Sequence, residues 1–255
     1  MIRTLVNFLL LWLVATLSKI LFRVDLRFIG EVPEGDPWAG LRVVAILNHT
    51  SLYEPIFAGG TPNRFLWRLA NHGVVPIADK TLERPIVGRF FRLVAKHVVP
   101  LTRQRDHTWR ELLGKVDDPK SLLVILPEGR MMRRNGLDAK GRPMNIRGGF
   151  AEVLETIPNG RLLLAYSGGL HHIQAPGEHF PRLFRPARIR VEVLEIEGYR
   201  ARLMAEAGGQ DGFRRAVIED LERRKRESCP APEGSTPPHP PAPSPRVRRE
   251  GEEEA

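Results

Sequence analysis

Apolar and polar positions follow two different periods along this chain, and the switches between them mark its elements. An uncharged stretch from Thr4 to Ser18, including Phe8, Leu9, Leu10, Leu11, Trp12, Leu13 and Val14, opens it. A helix over that stretch, rising about 1.5 Å per residue, falls short of a hydrocarbon core of roughly 30 Å. Adding Ile20 to Phe22, with Lys19 snorkelling, nearly spans it. Thr4, Asn7 and Ser18 share one side of the helical wheel, but Leu11, Val14 and Ala15 interrupt that side, so the amphipathic signal is weak. The expectation is a membrane-embedded or interfacial anchor over residues 1–24. No small-x-small step follows the apolar run, which argues against a cleaved leader; a buried core helix is the competing reading.

Short β-branched runs then recur. Val43 to Leu47, His97 to Leu101, Leu122 to Leu126 and Leu162 to Ala165 read as buried strands, and Ile189, Val191 and Val193 alternate with polar neighbours in a further one. Helical spacing fits Pro85 to Leu93. It returns after the N-cap residue Asp106 with Trp109, Leu112, Leu113 and Val116 on one face, and again at Phe213, Ala216, Val217 and Leu221. Arg27 to Gly40 is loop-like, Ile56 to Gly60 ends in a break, and Asn63 to Asn71 matches neither period. Strands alternating with helices predict one α/β domain over residues 25–227, a central mostly parallel or mixed sheet flanked by helices. Pro, Ser, Gly and charge dominate from Ser228 on, so residues 228–255 are expected to be a disordered tail.

Charge narrows the partners only partly. The 255 residues carry a net charge of +9, chiefly from Arg, which suits bidentate contact with phosphate or carboxylate. Anionic membranes, phosphorylated small molecules and nucleic acids all remain open on charge alone. Trp12, Trp38, Trp67 and Trp109 are too scattered for a base-stacking platform, so no nucleic acid is expected. Cys229 is the single cysteine, which excludes an intrachain disulfide framework and a thiolate metal site.

The candidate chemistry begins where the strand over Val43 to Leu47 ends, in Asn48-His49-Thr50-Ser51-Leu52-Tyr53-Glu54-Pro55. An imidazole can take a proton near neutral pH if something fixes its tautomer, and Glu54 is close enough in sequence for one turn to bring it onto the ring. Taken alone, such a pair is more readily a capping or core histidine. Farther on, the strand over Leu122 to Leu126 runs into Pro127-Glu128-Gly129-Arg130. A loop follows with Arg130, Arg133, Arg134, Lys140, Arg142 and Arg147 interleaved with Gly136, Gly141 and Gly148. That loop is a candidate anion site, against the plainer reading of a solvated turn. His171, His172 and His179 lack metal-ligand spacing, and Ser167-Gly168-Gly169 lacks the flanks of a nucleophile elbow.

The segment from Asn48 to Glu54 resembles the first motif of the glycerolipid acyltransferases typified by 1-acylglycerol-3-phosphate acyltransferase, with Glu54 where that family has Asp. Gly88 to Arg103, ending Val99-Pro100-Leu101-Thr102-Arg103, is similar to the second motif, and Leu126-Pro127-Glu128-Gly129 to the third. Asn145-Ile146-Arg147-Gly148 resembles the basic-Gly step that follows. The resemblance covers roughly residues 40–200, in order, which is more specific than any single motif. It departs after Gly129, where Arg130-Met131 replaces Thr-Arg. It implies His49 as general base, Glu54 as its orienting acid, and Asn48, Ser51, Arg103, Glu128, Gly129 and Arg130 at the substrates.

Transfer of a fatty acyl group from acyl-CoA or acyl carrier protein to the hydroxyl of a lysophospholipid, 1-acylglycerol-3-phosphate foremost, is the activity this implies. It needs no cofactor or metal and takes place at a membrane surface, with the cytoplasmic face of the cell membrane expected. The alternatives are a phosphate-free lyso-aminolipid acceptor, a non-catalytic lipid-binding protein of the same fold, and a metal-dependent hydrolase using His49 and Glu54.

Overall fold

The computed structural model of the chain describes residues 2–102, 107–178 and 180–231. Strands β1 (Arg23–Phe28), β2 (Leu41–Leu47), β3 (Gly73–Ala78), β4 (His97–Leu101), β5 (Leu122–Ile125), β6 (Arg161–Ser167) and β7 (Pro186–Glu195) make one seven-stranded sheet, ordered β1-β7-β6-β2-β5-β3-β4. From β6 through β2, β5 and β3 to β4 every pairing is parallel, whereas β7 runs antiparallel to β6 and carries β1 parallel to itself. The expected α/β domain with a mixed sheet is the fold observed. β2 and β6 are buried along nearly their whole length, because helices cover both faces of the sheet, and so they read as unbroken apolar runs.

Helices α1 (Ile2–Leu21), α2 (Asn63–His72) and α4 (Pro85–Val94), with a 3-10 helix over Glu54–Gly60, cover one face; short α3 (Asp79–Leu82) links β3 to α4. The other face is covered by α5 (His107–Val116), α6 (Gly149–Thr156), α7 (Ile196–Glu206) and α8 (Gln210–Ser228). There Leu112, Phe150, Tyr199 and Phe213 pack against Val43, Leu47, Leu123 and Tyr166. The expected face of α5 is there, with Leu112 and Val116 buried and Trp109 and Leu113 packed against the same core. Its expected N-cap, Asp106, lies outside the described residues.

Two strands, β1 and β3, and four helices, α2, α3, α6 and α7, have no clear signal in the sequence. Arg23, Asp25 and Arg27 break the apolar pattern of β1, which pairs only with β7. Pro76 argues against β3, yet the β5 ladder reaches only Gly73 and Val74, so the missing N–H lies beyond it. The untyped stretch from Asn63 is α2, an amphipathic helix with Phe65, Leu66 and Ala70 buried. At the other end, α8 carries the packing past residue 227, since Ser228 closes the helix and Pro230 is buried.

Helix α1 is inverted relative to an ordinary surface helix. Asn7, Leu11, Ala15 and Ser18 form the stripe buried against the protein, while Leu5, Val6, Leu9, Trp12, Leu13, Leu17 and Ile20 are exposed. Leu11 and Ala15 therefore do not interrupt a polar side; together with Asn7 and Ser18 they are the contact stripe. Small side chains let the backbones approach. A Cβ on Gly59 would lie only 3.1 Å from Ser18 Cβ, and one on Gly60 2.8 Å from Leu26 Cβ. Burial of Leu11 and of Phe22, just beyond the helix, stabilises this seam by about 2 kcal/mol each.

Candidate active site

The mutually parallel strands all end on one edge of the sheet, and the segments that leave β2, β5 and β6 meet there. Asn48, directly after β2, adopts φ +67°, a left-handed conformation that Asn tolerates better than most residues. This sends the chain sharply off the strand, and the Asn48 amide locks the bend by donating to the Ser167 carbonyl at the end of β6 (2.8 Å). His49 follows with its side chain 15% exposed, and its Nδ1 lies 3.0 Å from Glu54 Oε1. The contact is a charge contact more than a linear hydrogen bond, because the ring N–H is not aimed along it. Oε1 also accepts the backbone N–H groups of Thr50 and Ser51, at 3.0 Å each. Glu54 thus does two jobs from one oxygen: it ties the loop closed and faces the ring.

Electrostatics favour a protonatable His49. Burial works against the imidazolium, but the Glu54 carboxylate beside the ring and the Glu128 charge outweigh it and hold the pKa above the ordinary histidine value. With Nδ1 turned to Glu54, Nε2 is the nitrogen left for other chemistry. It has no partner among the described residues.

Glu128 sits beneath this loop. It is buried, and it accepts the N–H groups of Asn48 (3.1 Å, Oε1) and His49 (2.7 Å, Oε2), while Lys225 Nζ from α8 lies 2.7 Å from Oε1. Gly129 closes the turn by donating to the Leu126 carbonyl, at φ +61°, where a side chain would be strained. Ser51 is fully buried and donates to Gln174 Oε1 (2.6 Å). The structure therefore turns Asn48, Ser51 and Glu128, expected at the substrates, into the scaffold of the loop. Lys225, Gln174 and Thr50, whose hydroxyl accepts the Leu170 N–H (2.7 Å), complete that scaffold. Sequence reasoning missed Lys225 and Gln174, which lie in stretches with no motif, and gave Thr50 no role although it stands inside the Asn48 to Glu54 segment.

Two cations of the basic loop are paired from within. Arg130, its side chain 13% exposed, pairs with Asp138, and Arg142 reaches the same carboxylate at 2.8 Å. Burial alone would raise the Asp138 pKa, but the Arg142 backbone and side chain, the Lys140 N–H and the Arg130 guanidinium hold it well below the usual carboxylate range. Gly136 and Gly141 supply the positive φ that the loop's turns need. Gly148 and Gly149 serve packing: a Cβ on either would collide with Arg214 or Trp109. Arg147, like Arg133 and Lys140, is exposed with no ion-pair partner among the described residues, and of the three it is the one that lies beside Gly129. Its pKa is lowered by partial burial and by the like charges of Arg130 and Arg142. Arg103, the guanidinium expected from the second motif, lies outside the described residues.

Two other histidines serve packing near the loop. His171 Nε2 contacts the Met132 carbonyl (2.8 Å) and His172 Nε2 the Pro186 carbonyl (2.6 Å), so both rings act as donors in loop packing. His179 lies outside the described residues.

No protein-family model and no curated protein sequence matches this chain. Among solved structures it is similar to the 1-acyl-sn-glycerophosphate acyltransferase PlsC from Thermotoga maritima, with a TM-score of 0.50 and 16% sequence identity over 86% of this chain and 79% of that one. At that identity the likeness concerns the fold, and the mixed seven-stranded sheet flanked by helices is common ground between this chain and a PlsC acyltransferase fold.

Proposed function

We propose that this chain is a membrane-associated acyltransferase that moves a fatty acyl group from a thioester, acyl-CoA or acyl carrier protein, to the hydroxyl of a lysophospholipid, 1-acylglycerol-3-phosphate being the leading acceptor. The observation that carries the proposal is the His49–Glu54 pair on the carboxyl edge of the sheet, with Nδ1 at 3.0 Å from the carboxylate and Nε2 left for a substrate proton. Similarity in fold to a PlsC enzyme supports it.

In this mechanism Nε2 takes the proton from the acceptor hydroxyl as its oxygen attacks the thioester carbonyl. Glu54 stabilises the imidazolium that forms. When the C–S bond breaks, the departing thiolate takes that proton back and leaves the ester. No covalent acyl-enzyme is required, and holding two reactants against one edge supplies much of the rate. Arg103 and Arg147 are the guanidinium groups assigned to the acceptor phosphate, Arg147 because it is exposed beside Gly129, next to the Glu128 that holds the His49 loop. Arg130 contributes through the shape of the loop.

The exposed apolar face of α1 seats the enzyme on the bilayer, on the cytoplasmic side, where both donor types are found. Removing α1 would also remove Leu11 and Ala15 from the core, so surface substitutions such as Leu9→Ser with Leu13→Ser are the fair test of attachment. Acyl transfer from a radiolabelled thioester to 1-acylglycerol-3-phosphate, abolished in His49→Ala, tests the activity; a purified chain with no transfer to any lysolipid would overturn it.

A further inference from the structure

The exposed apolar surface does not end with α1. Beyond its C-terminus lie Phe180, 85% exposed, Leu183, 43%, and Phe184, 61%. Phe184 adopts φ +60°, rare for an aromatic residue, and the conformation is held by its N–H donating to the Leu21 carbonyl (2.6 Å) at the end of α1. The apolar tip is thereby joined to the end of the helix that exposes Leu17 and Ile20. Arg182 and Arg185 flank it, and Arg23, also exposed, donates its N–H to the Arg185 carbonyl (3.1 Å).

This tip is braced against the catalytic loop. Arg182 donates its N–H to the Ile173 carbonyl (2.8 Å) and its guanidinium to Glu178 (2.8 Å), whose own carbonyl accepts from Gln174 Nε2 (2.7 Å). Gln174 Oε1 in turn accepts from Ser51, two residues after His49. We propose that Phe180, Leu183 and Phe184 form a second lipid-inserting point that, together with α1, seats the His49 edge on an anionic bilayer surface. Two aromatic rings and a leucine beside the exposed Arg185 and Arg23 match the interface between acyl chains and acidic headgroups. Continuity with α1 selects lipid over a protein partner. The proposal rests on the membrane attachment of α1 and not on the acyl-transfer chemistry.

The test is an environment-sensitive fluorophore on the full-length chain. In a Cys229→Ser background, Phe180→Cys, Leu13→Cys on α1 and Arg215→Cys on α8 are labelled separately and mixed with phosphatidylglycerol vesicles. The expected result is a blue shift and protection from aqueous quenchers at positions 180 and 13, with none at 215. Phe180→Ser combined with Leu183→Ser should weaken vesicle partitioning at least about tenfold while leaving the melting temperature within a few degrees. A label at 180 that stays aqueous while the label at 13 shifts would overturn the insertion point and leave α1 attached. Labels aqueous at both positions would remove the attachment itself, and with it this proposal. A shift at 180 that grows with protein concentration without vesicles would assign the patch to a second copy of the chain.

Discussion

Two loops on the same edge of the sheet, residues 48–54 and 130–147, both carry the residue types of a functional site, and the structure treats them in opposite ways. In the first, acids are spent on backbone amides and on one imidazole. Glu54 and Glu128 hold four N–H groups between them and leave His49 Nε2 without a partner among the described residues. In the second, the one acid is spent on cations, because Asp138 collects Arg130 and Arg142. A high count of Arg therefore says little about anion binding until the acid that the loop folds around is known. What matters is which groups are left without a partner among the described residues: Nε2 in the first loop, and Arg133, Lys140 and Arg147 in the second.

The sharpest break of that contrast is His49→Ala. If Nε2 is the working group, turnover falls by about a thousandfold, roughly 4 kcal/mol of transition-state stabilisation, with little change in the melting temperature. Near wild-type turnover would mean that the first loop is as structural as the second.

Lys225→Met removes the cation that faces buried Glu128. Leaving that carboxylate unpaired should cost about 3 kcal/mol in urea unfolding and lower turnover only a few-fold, since the Asn48 and His49 amides keep their acceptor. A stability unchanged within error would show the pair to be dispensable.

Glu54→Gln separates charge from shape. Its carbonyl can still accept the Thr50 and Ser51 N–H groups, but it no longer stabilises the imidazolium, so turnover should drop at least about tenfold, or 1.4 kcal/mol. The acidic limb of the rate profile should also move to lower pH, because the carboxylate is what raises the His49 pKa against the effect of burial. Glu54→Asp keeps the charge and withdraws it by one methylene, loosening the loop as well, and should lower the melting temperature where Gln does not. The pH sign for stability is opposite to that for activity. The raised His49 pKa stabilises the fold fully below the unfolded value of about 6.5, and that contribution is lost as pH rises through the folded value, where the neutral base becomes active. An acidic limb that does not move in Glu54→Gln would assign it to another group.

The smallest effects test the second loop. Arg147→Ala should raise the acceptor KM about fivefold, whereas Arg130→Ala should change it less than about twofold and lower thermal stability through Asp138. The reverse pattern would restore Arg130 as the phosphate group and undo the contrast.

Legibility in the sequence followed burial. Strands enclosed on both faces, such as β2 and β6, announced themselves as apolar runs, and the helical faces of α5 and α8 by their spacing. β1 and β3 did not, because one is held by pairing to β7 alone and the other tolerates Pro76 where its ladder ends. Helix α1 was found by its composition, but its orientation was not, since the wheel shows which residues share a side and not which side meets protein. Among the site residues, His49 and Glu54 stand close in the chain, so one turn suffices to join them. Lys225 and Gln174 reach the loop from elements remote in sequence, and no local pattern foretold it.

The sequence by itself determined that this is an α/β domain with an apolar N-terminal helix and a histidine and an acid placed just after a buried strand. These are consequences of local period and spacing, which the chain states directly. Only the tertiary structure decided which charges remain in use. Glu128 became the seat of the His49 loop, Arg130 a partner of Asp138, and the polar stripe of α1 its inner face. Each outcome depends on which long-range partner arrives to satisfy a buried group, and that depends on the packing of elements far apart in the chain.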